Sequence, residues 1–201
     1  SLRPTPELSF AVRELGCCGG IMVTASHNPK QYNGYKVYDD TGCQLVPDSI
    51  QPMLDILSSL PNELDIEVPS SSKKGINKII SPELDEKYCS LVLSCQVHPE
   101  LDKNGFKVIY SPQHGASLES ALKVFESAGY EIIPVKEQCV HDPDFGATKS
   151  PNPEVASAWE LSLEYAKRNH ADLCVMTDPD GDRCGLAYLS SKGNYERLTG
   201  N

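Results

Sequence analysis

The 201-residue sequence lacks any run of about 18 apolar residues, the length at which a helix begins to span a bilayer. It is also short of basic residues: 18 lysines and arginines stand against 28 aspartates and glutamates, for a net charge of −10. Because nucleic acids and anionic membranes bind basic faces, we expect neither as a partner. A phosphate-bearing small molecule is compatible with this charge, since a few converging basic groups can hold a phosphate in an acidic protein.

No Cys-x-x-Cys pair occurs among the eight cysteines, which argues against a structural zinc site. Several of these cysteines lie in apolar runs, so we predict reduced, buried thiols in a cytoplasmic protein. Ser1 stands where a methionine normally begins a chain, and no signal peptide follows it. We therefore expect the chain to be a piece of a longer protein.

Short apolar strands alternate with helices along most of the chain. Helices are predicted over 5–15, 48–60, 81–97, 118–128 and 152–169, a buried strand over 21–23, further strands over 35–38, 106–110, 130–135 and 173–177, and a hairpin over 185–198. This alternation predicts an α/β fold with mixed, mostly parallel sheets and helices on both faces. Residues 61–75 are rich in Pro, Ser and Gly and break the pattern, so we predict two domains, 1–75 and 76–201.

Three aspartates, Asp178, Asp180 and Asp182, directly follow the last predicted parallel strand. At this spacing, an extended or looped segment points all three carboxylates the same way. A divalent cation relieves their mutual repulsion, and an all-oxygen set of ligands favours Mg²⁺ over zinc. The loop therefore predicts a magnesium site.

Other interpretations of the aspartate loop are weaker. An EF-hand needs Gly at its sixth position and Glu at its twelfth, where Arg183 and Leu189 stand. A haloacid-dehalogenase-type phosphatase also begins with Asp-x-Asp after a buried strand, but Asp182 occupies a place where Thr or Val is expected. That phosphatase is kept as a minor alternative, together with an acidic surface turn that binds no metal.

A second polar motif, Thr-Ala-Ser-His-Asn-Pro at 24–29, follows the first predicted strand. It lacks the Gly-x-Ser-x-Gly elbow of hydrolases. We expect no triad-type hydrogen bond between Ser26 and His27, because neighbouring side chains on extended backbone point apart. A turn at Asn33-Gly34 brings Lys36 back on the next strand. The motif predicts a phosphate-carrying Ser26 with His27 and Lys36 nearby; the alternative is a polar turn with a helix cap.

These two motifs resemble the signature sequences of the α-D-phosphohexomutase family, which includes phosphoglucomutase and phosphomannomutase. Two further segments, Ser111–Gly115 and 145–154, are similar to family segments in the same order, and the second resembles the phosphoglucomutase and phosphopentomutase branch. The resemblance implies an isomerase that moves a phosphoryl group between the 1- and 6-positions of a hexose phosphate. Phosphomannomutase and phosphopentomutase are alternatives within the family, a metal-dependent phosphatase is a remote alternative, and a non-catalytic phosphate-binding module is another.

The resemblance implies that Ser26 is the phosphorylated serine and that its phosphate joins Asp178, Asp180 and Asp182 as a ligand of one Mg²⁺. It further implies a bisphosphorylated sugar as intermediate, with glucose 1,6-bisphosphate as activator and a sugar phosphate as the small-molecule partner.

The resemblance also assigns His27 and Lys36 to proton transfer and Arg183 to support of the phosphoserine region. His114 matches a family position for which packing or loop fixing is an equally good role. In a four-domain enzyme of this kind, residues 1–75 would be the C-terminal half of domain 1 and residues 76–201 would be domain 2. Sugar recognition and the distal phosphate clamp would lie in domains 3 and 4, which this chain does not include.

Overall fold

The computed structural model describes residues 2–62 and 78–198. The elements along the chain are α1 (Thr5–Glu14), β1 (Gly20–Val23), β2 (Tyr35–Tyr38), α2 (Pro47–Ser59), α3 (Pro82–Ser94), β3 (Lys107–Ser111), α4 (Leu118–Ser127), β4 (Glu131–Pro134), α5 (Glu160–Asn169), β5 (Leu173–Thr177), β6 (Cys184–Leu189) and β7 (Tyr195–Leu198). Within these ranges no helix combines the length and the apolar character that a membrane crossing requires. The predicted interdomain connection at 61–75 falls almost entirely outside the described residues, so the domain boundary stays a prediction.

The larger sheet has five strands in the order β4-β3-β5-β6-β7. Strands β4, β3 and β5 are mutually parallel, and the β6–β7 hairpin adds two antiparallel strands beside β5. The predicted mixed, mostly parallel sheet and its terminal hairpin are confirmed. Parallel strands are joined by crossover helices, which here cover both faces of the sheet.

Alternate side chains of the central strands pack against different helices. Ile109 and Cys174 face a cluster that includes Trp159 and residues of α5, whereas Tyr110 and Val175 face residues of α4. This alternation follows from the two-residue period of a strand. Because both faces are buried, β3 and β5 read as continuous apolar runs, and that property made them predictable.

The segment before α5 differs from the prediction. A single helix was expected over 152–169, but α5 begins only at Glu160, after a short 3₁₀ helix at Ala156–Trp159. The buried indole of Trp159 donates a hydrogen bond from Nε1 to the carbonyl of Pro153, at 2.7 Å. Asn152 Oδ1 accepts the backbone N–H of Glu154, at 3.0 Å. These contacts hold the segment in turns that an α-helix would break.

The smaller sheet pairs β1 with β2 in antiparallel fashion. The prediction that β1 is buried is wrong: Ile21 and Val23 are 54% and 61% exposed. Helix α1 packs against the opposite face of β1, and no described residue buries the face that carries Ile21 and Val23. Helix α2 likewise forms where predicted but buries none of its residues. The result is an exposed apolar surface of the kind that favours association.

Helix α1 links the two sheets, because it packs against both β1 and α3. The rings of Phe10 and Tyr88 lie 5.7 Å apart in this contact. Arg3 donates to the Asp85 carboxylate at 2.5 Å and lies 3.8 Å from the Glu7 carboxylate. Glu7 is only 3% exposed, so an ionisable group is buried where the two parts of the chain meet.

All eight cysteines are free, as predicted, but only Cys89 and Cys174 are buried. The prediction of buried thiols is therefore wrong for most of them. Exposed examples lie at the ends of elements: Cys95 follows α3 and Cys184 begins β6. Apolar neighbours in sequence do not bury a residue that lies where an element ends.

Substitution of Glu7 by Gln tests the buried carboxyl group. Burial and the neighbouring Asp85 raise the pKa of Glu7 to about 7. The folded-state pKa of Glu7 lies above that of an unfolded glutamate, which is about 4.3. The contribution of Glu7 to stability is therefore fully present below about pH 4.3 and is lost as the pH rises through its folded-state pKa of about 7. Between pH 5 and pH 8, Glu7→Gln should gain on the order of 2 kcal/mol in unfolding free energy relative to the unsubstituted chain.

Urea titrations at the two pH values measure this difference. Glu119→Gln is the matched control, since Glu119 also pairs with Arg3 but its side chain is 75% exposed. It should change stability little at either pH. An equal effect of Glu7→Gln at both pH values would contradict a raised pKa.

Candidate active site

The aspartate loop follows β5 at the carboxyl end of the larger sheet. Asp178 and Asp180 are buried, at 0% and 5% exposure, while Asp182 is exposed. Each offers a carboxylate oxygen, and these oxygens lie within 4.8 Å of one another. Asp180 Oδ1 is buried and, among the described residues, has no hydrogen-bond partner. An oxygen cluster with an unsatisfied buried carboxylate atom fits Mg²⁺, and these three residues are the ones that would hold it.

Ser26 lies against this loop although 152 positions separate it from Asp178. Its Oγ donates a hydrogen bond to Asp178 Oδ2 at 2.9 Å. The prediction that the serine motif and the aspartate loop meet is confirmed by this geometry. The contact forms because β1 and β5 both end at this place, and a polar turn follows each strand.

The expectation that Ser26 and His27 point apart is wrong. Ser26 Oγ and His27 Nδ1 lie 3.1 Å apart, and His27 Nδ1 lies 3.4 Å from Asp178 Oδ2. The backbone at Ser26 is not extended: its φ is +52°, in the left-handed region. At this φ the following side chain turns to the same side as the serine hydroxyl. The site therefore places a hydroxyl, an imidazole and a carboxylate in mutual contact.

Lys36 completes the cluster from β2. Its Nζ donates to Asp180 Oδ2 at 2.8 Å and to Asp182 Oδ2 at 2.7 Å. Burial disfavours the Lys36 ammonium, but the two carboxylates outweigh that cost and raise the pKa of Lys36. Lys36 and Ser26 therefore contact the same aspartate loop, in agreement with the prediction that Lys36 lies near Ser26. Lys36 also partly neutralises the loop.

The pKa values of the two buried aspartates are shifted in opposite directions. Burial, reinforced by the charge of Asp180, raises the pKa of Asp178. Asp180 is also desolvated, but its hydrogen bond and ion pair with Lys36 lower its pKa. Like charges in one site push each other's pKa upward, and a cation reverses this. Lys36 thus offsets charge at Asp180 and Asp182, whereas the Asp178 carboxylate, which contacts Ser26, keeps a raised pKa.

Arg183 follows Asp182 in the loop, and its side chain contacts Glu154. Its backbone N–H donates to Asp178 Oδ1 at 3.1 Å, while its guanidinium reaches Glu154 Oε1 at 3.4 Å. The structure thus brings Ser26, His27 and Lys36 to the three aspartates, and it places the Arg183 side chain at the edge of this group. Sequence reasoning did not predict that Glu154, which lies in the segment 145–154, would contact Arg183.

A turn at 112–116 packs against the aspartate loop. Ala116 N–H donates to the Pro179 carbonyl at 2.8 Å, and a Cβ on Gly115 would lie 2.3 Å from that oxygen. His114, 7% exposed with φ of +62°, donates from Nδ1 to the Val140 carbonyl at 2.8 Å. This contact favours loop fixing, one of the two roles that the sequence left open for His114.

The other side of the loop meets α1, and sequence reasoning missed this contact. Thr5 N–H donates to the Asp180 carbonyl at 2.7 Å. Gly181 has φ of +72°, and a Cβ there would lie 2.1 Å from Ser117 Oγ and 2.8 Å from Pro4 Cβ. No local pattern signals that a helix start near the beginning of the chain will close over this loop.

Two consecutive α/β units, joined by one polar site, match known proteins along nearly the whole chain. Residues 1–62 match the family model "Phosphoglucomutase/phosphomannomutase, alpha/beta/alpha domain I", and residues 86–190 match the corresponding model of domain II. The chain belongs to the phosphoglucomutase/phosphomannomutase family, the α-D-phosphohexomutases. The resemblance seen in the sequence motifs is therefore confirmed.

Some of the similar proteins are named phosphoglucomutase and others phosphomannomutase. A Staphylococcus aureus phosphoglucomutase is 35% identical over 201 residues, which is 99% of this chain and 36% of that protein. A Mycoplasmoides pirum phosphomannomutase is 34% identical over 196 residues, or 96% of this chain and 35% of that protein. A Thermus thermophilus crystal structure described as a phosphomannomutase superposes with a TM-score of 0.72 at 27% identity, covering 92% of this chain and 40% of its own. The chain thus spans about a third of the length of the curated relatives it matches.

Addition of Mg²⁺ to the 201-residue chain tests the metal site. A ligand that binds only the folded state stabilises it by about 2.7 kcal/mol at 100 times its dissociation constant. Mg²⁺ should therefore raise the melting temperature of the chain, and Asp180→Asn should remove most of that rise. Calorimetry with and without Mg²⁺ measures both. The control is Glu196→Gln, at an exposed carboxylate on β7, and an undiminished rise in Asp180→Asn would exclude the loop as the metal site.

Proposed function

We propose that this chain is the phosphoserine- and metal-binding part of a phosphohexomutase, specifically a phosphoglucomutase. Such an enzyme moves a phosphoryl group between the 1- and 6-positions of a hexose phosphate. The observation that carries the proposal is the 2.9 Å contact between Ser26 Oγ and Asp178 Oδ2, because it joins the two motifs that phosphoryl transfer needs. A phosphomannomutase or phosphopentomutase uses the same site, and relatives with both hexomutase names support the class rather than the sugar.

In the proposed reaction, Ser26 carries a phosphoryl group on Oγ. An oxygen of the sugar monophosphate attacks the phosphorus, the bond from phosphorus to Ser26 Oγ breaks, and a sugar bisphosphate forms. The bisphosphate then reorients in the site. Ser26 Oγ attacks its other phosphorus, the bond from that phosphorus to the sugar oxygen breaks, and the sugar oxygen takes up a proton. No net phosphate is gained or lost, so the sugar leaves with its phosphate moved.

The surrounding side chains supply proton transfer and charge. A basic group has to accept the proton of the attacking sugar hydroxyl, and His27 Nδ1, 3.1 Å from Ser26 Oγ, is the candidate. Lys36 Nζ is an ammonium whose pKa is raised by Asp180 and Asp182, so in proton transfer it would act as the donor. Bound Mg²⁺, held by the three loop aspartates and a phosphate oxygen on Ser26, would neutralise charge on the transferring group. Arg183 would keep Asp178 oriented through its backbone N–H.

Sugar recognition would lie outside this chain. A mutase must hold its substrate at the reacting hydroxyl and at the distal phosphate, and orientation accounts for many kcal/mol of the barrier reduction, about 7–11 kcal/mol in favourable cases. We assign the distal clamp to domains 3 and 4 of a longer polypeptide that acts in the cytoplasm. Glucose 1,6-bisphosphate would serve as activator, because it can phosphorylate Ser26 and leave as a monophosphate.

Replacement of Ser26 by Ala tests the phosphoryl carrier. In the longer polypeptide, glucose 1,6-bisphosphate should add one phosphate to the wild type and none to Ser26→Ala, because the accepting oxygen is gone. Intact-mass measurement reads this directly. Ser58→Ala, at an exposed serine of α2, should be phosphorylated like the wild type. A phosphate that persists on Ser26→Ala would place the carrier elsewhere.

Activity of the 201-residue chain alone tests where the substrate is held. With Mg²⁺ and glucose 1,6-bisphosphate, we expect the purified chain to convert glucose 1-phosphate at a rate orders of magnitude below that of the longer polypeptide, in a coupled assay. Comparable turnover would contradict the placement of sugar recognition in other domains. Net release of inorganic phosphate, with no need for the bisphosphate, would instead favour a metal-dependent phosphatase.

A further inference from the structure

Thr24 connects the nucleophile to the aspartate loop through a single hydroxyl group. Its Oγ1 accepts the backbone N–H of Ser26 at 2.9 Å and lies 3.3 Å from Asp180 Oδ2. A hydroxyl has one proton, and the Ser26 N–H already occupies an acceptor position, so the Thr24 proton points to the Asp180 carboxylate. The Thr24 side chain thereby contacts a carboxylate 156 positions further along the chain.

The first consequence concerns the conformation of Ser26. Its φ of +52° is disfavoured for a residue with a Cβ, and it is also what turns His27 towards the serine hydroxyl. The hydrogen bond from Ser26 N–H to Thr24 Oγ1 stabilises this turn. Thr24 is itself fixed, because its N–H donates to the Gly34 carbonyl at 3.0 Å.

The second consequence concerns Asp180. Its Oδ2 accepts hydrogen bonds from both Thr24 and Lys36. Its Oδ1 is buried and has no partner within the described part of the chain. With Oδ2 held by two donors, Oδ1 is the Asp180 oxygen left for a cation in the loop.

We propose that Thr24 is a positioning residue that sets the backbone of Ser26 and the orientation of the Asp180 carboxylate together. In this role it acts through these two residues and not by contact with the reacting atoms. This inference rests on the proposed function, in which Ser26 carries phosphate and Asp180 binds metal.

Removal of the hydroxyl tests the proposal in the 201-residue chain, with Mn²⁺ as the probe. Thr24→Val is nearly isosteric and lacks the donor, so it should weaken Mn²⁺ binding about tenfold, the effect of a lost hydrogen bond to a charged group. Thr24→Ser keeps the hydroxyl and should bind within about threefold of the wild type. Thr41→Val is the matched control, because Thr41 Oγ1 donates to Asp39 in a turn outside the site. It should leave Mn²⁺ affinity unchanged.

A second measurement follows Ser26 without any metal. Hydrogen exchange at the Ser26 amide should be at least about tenfold faster in Thr24→Val than in the wild type and in Thr24→Ser, because the amide loses its acceptor. If Thr24→Val fails to fold, Thr24→Ala replaces it in both measurements. Unchanged Mn²⁺ affinity and unchanged exchange in the valine variant would overturn the role of Thr24 alone. A wild-type chain that binds no Mn²⁺ would overturn the proposed metal site and this inference with it.

Discussion

Three carboxylates converge at the end of β5, and their like charges repel one another unless other groups compensate them. At an effective dielectric constant near 20, two like charges about 4 Å apart repel by on the order of 4 kcal/mol. Two donors from distant segments offset this repulsion, Lys36 from β2 and Thr24 from the turn after β1. A third donor, the Arg183 backbone N–H, comes from the loop itself. The smaller sheet is thus drawn to the larger one by the same charges that prepare a cation site.

The larger sheet was predictable because its signals are local. Strands β3 and β5 are buried on both faces, so their apolar runs stand out, and the turns around them carry Gly, Pro and Asn. The smaller sheet was predicted in position but not in burial, since the exposure of Ile21 and Val23 depends on what covers their face. A single sequence also could not show that Trp159 would hold the 3₁₀ segment ahead of α5.

The candidate site was predictable residue by residue but not in its contacts. The spacing of Asp178, Asp180 and Asp182 indicated a metal loop, and Ser26 stood in a recognisable motif. The contact between Ser26 and His27 was missed because it depends on one positive φ, which the sequence does not encode through a glycine. Contacts from Thr24 and Thr5 were missed for a different reason: each is a long-range hydrogen bond with no periodic signal.

The close packing at Gly115 and Gly181 around the aspartate loop affects how sequence variants are interpreted. Gly115 and Gly181 leave no room for a methyl group, which would lie 2.3 Å from the Pro179 carbonyl oxygen in one case and 2.1 Å from Ser117 Oγ in the other. Either change displaces the loop, although neither glycine carries a functional group. In a random mutagenesis screen, alanine at either glycine would lower activity as substitution of an aspartate does. Loss of activity from a substitution in or next to this loop would therefore not by itself identify a reacting residue.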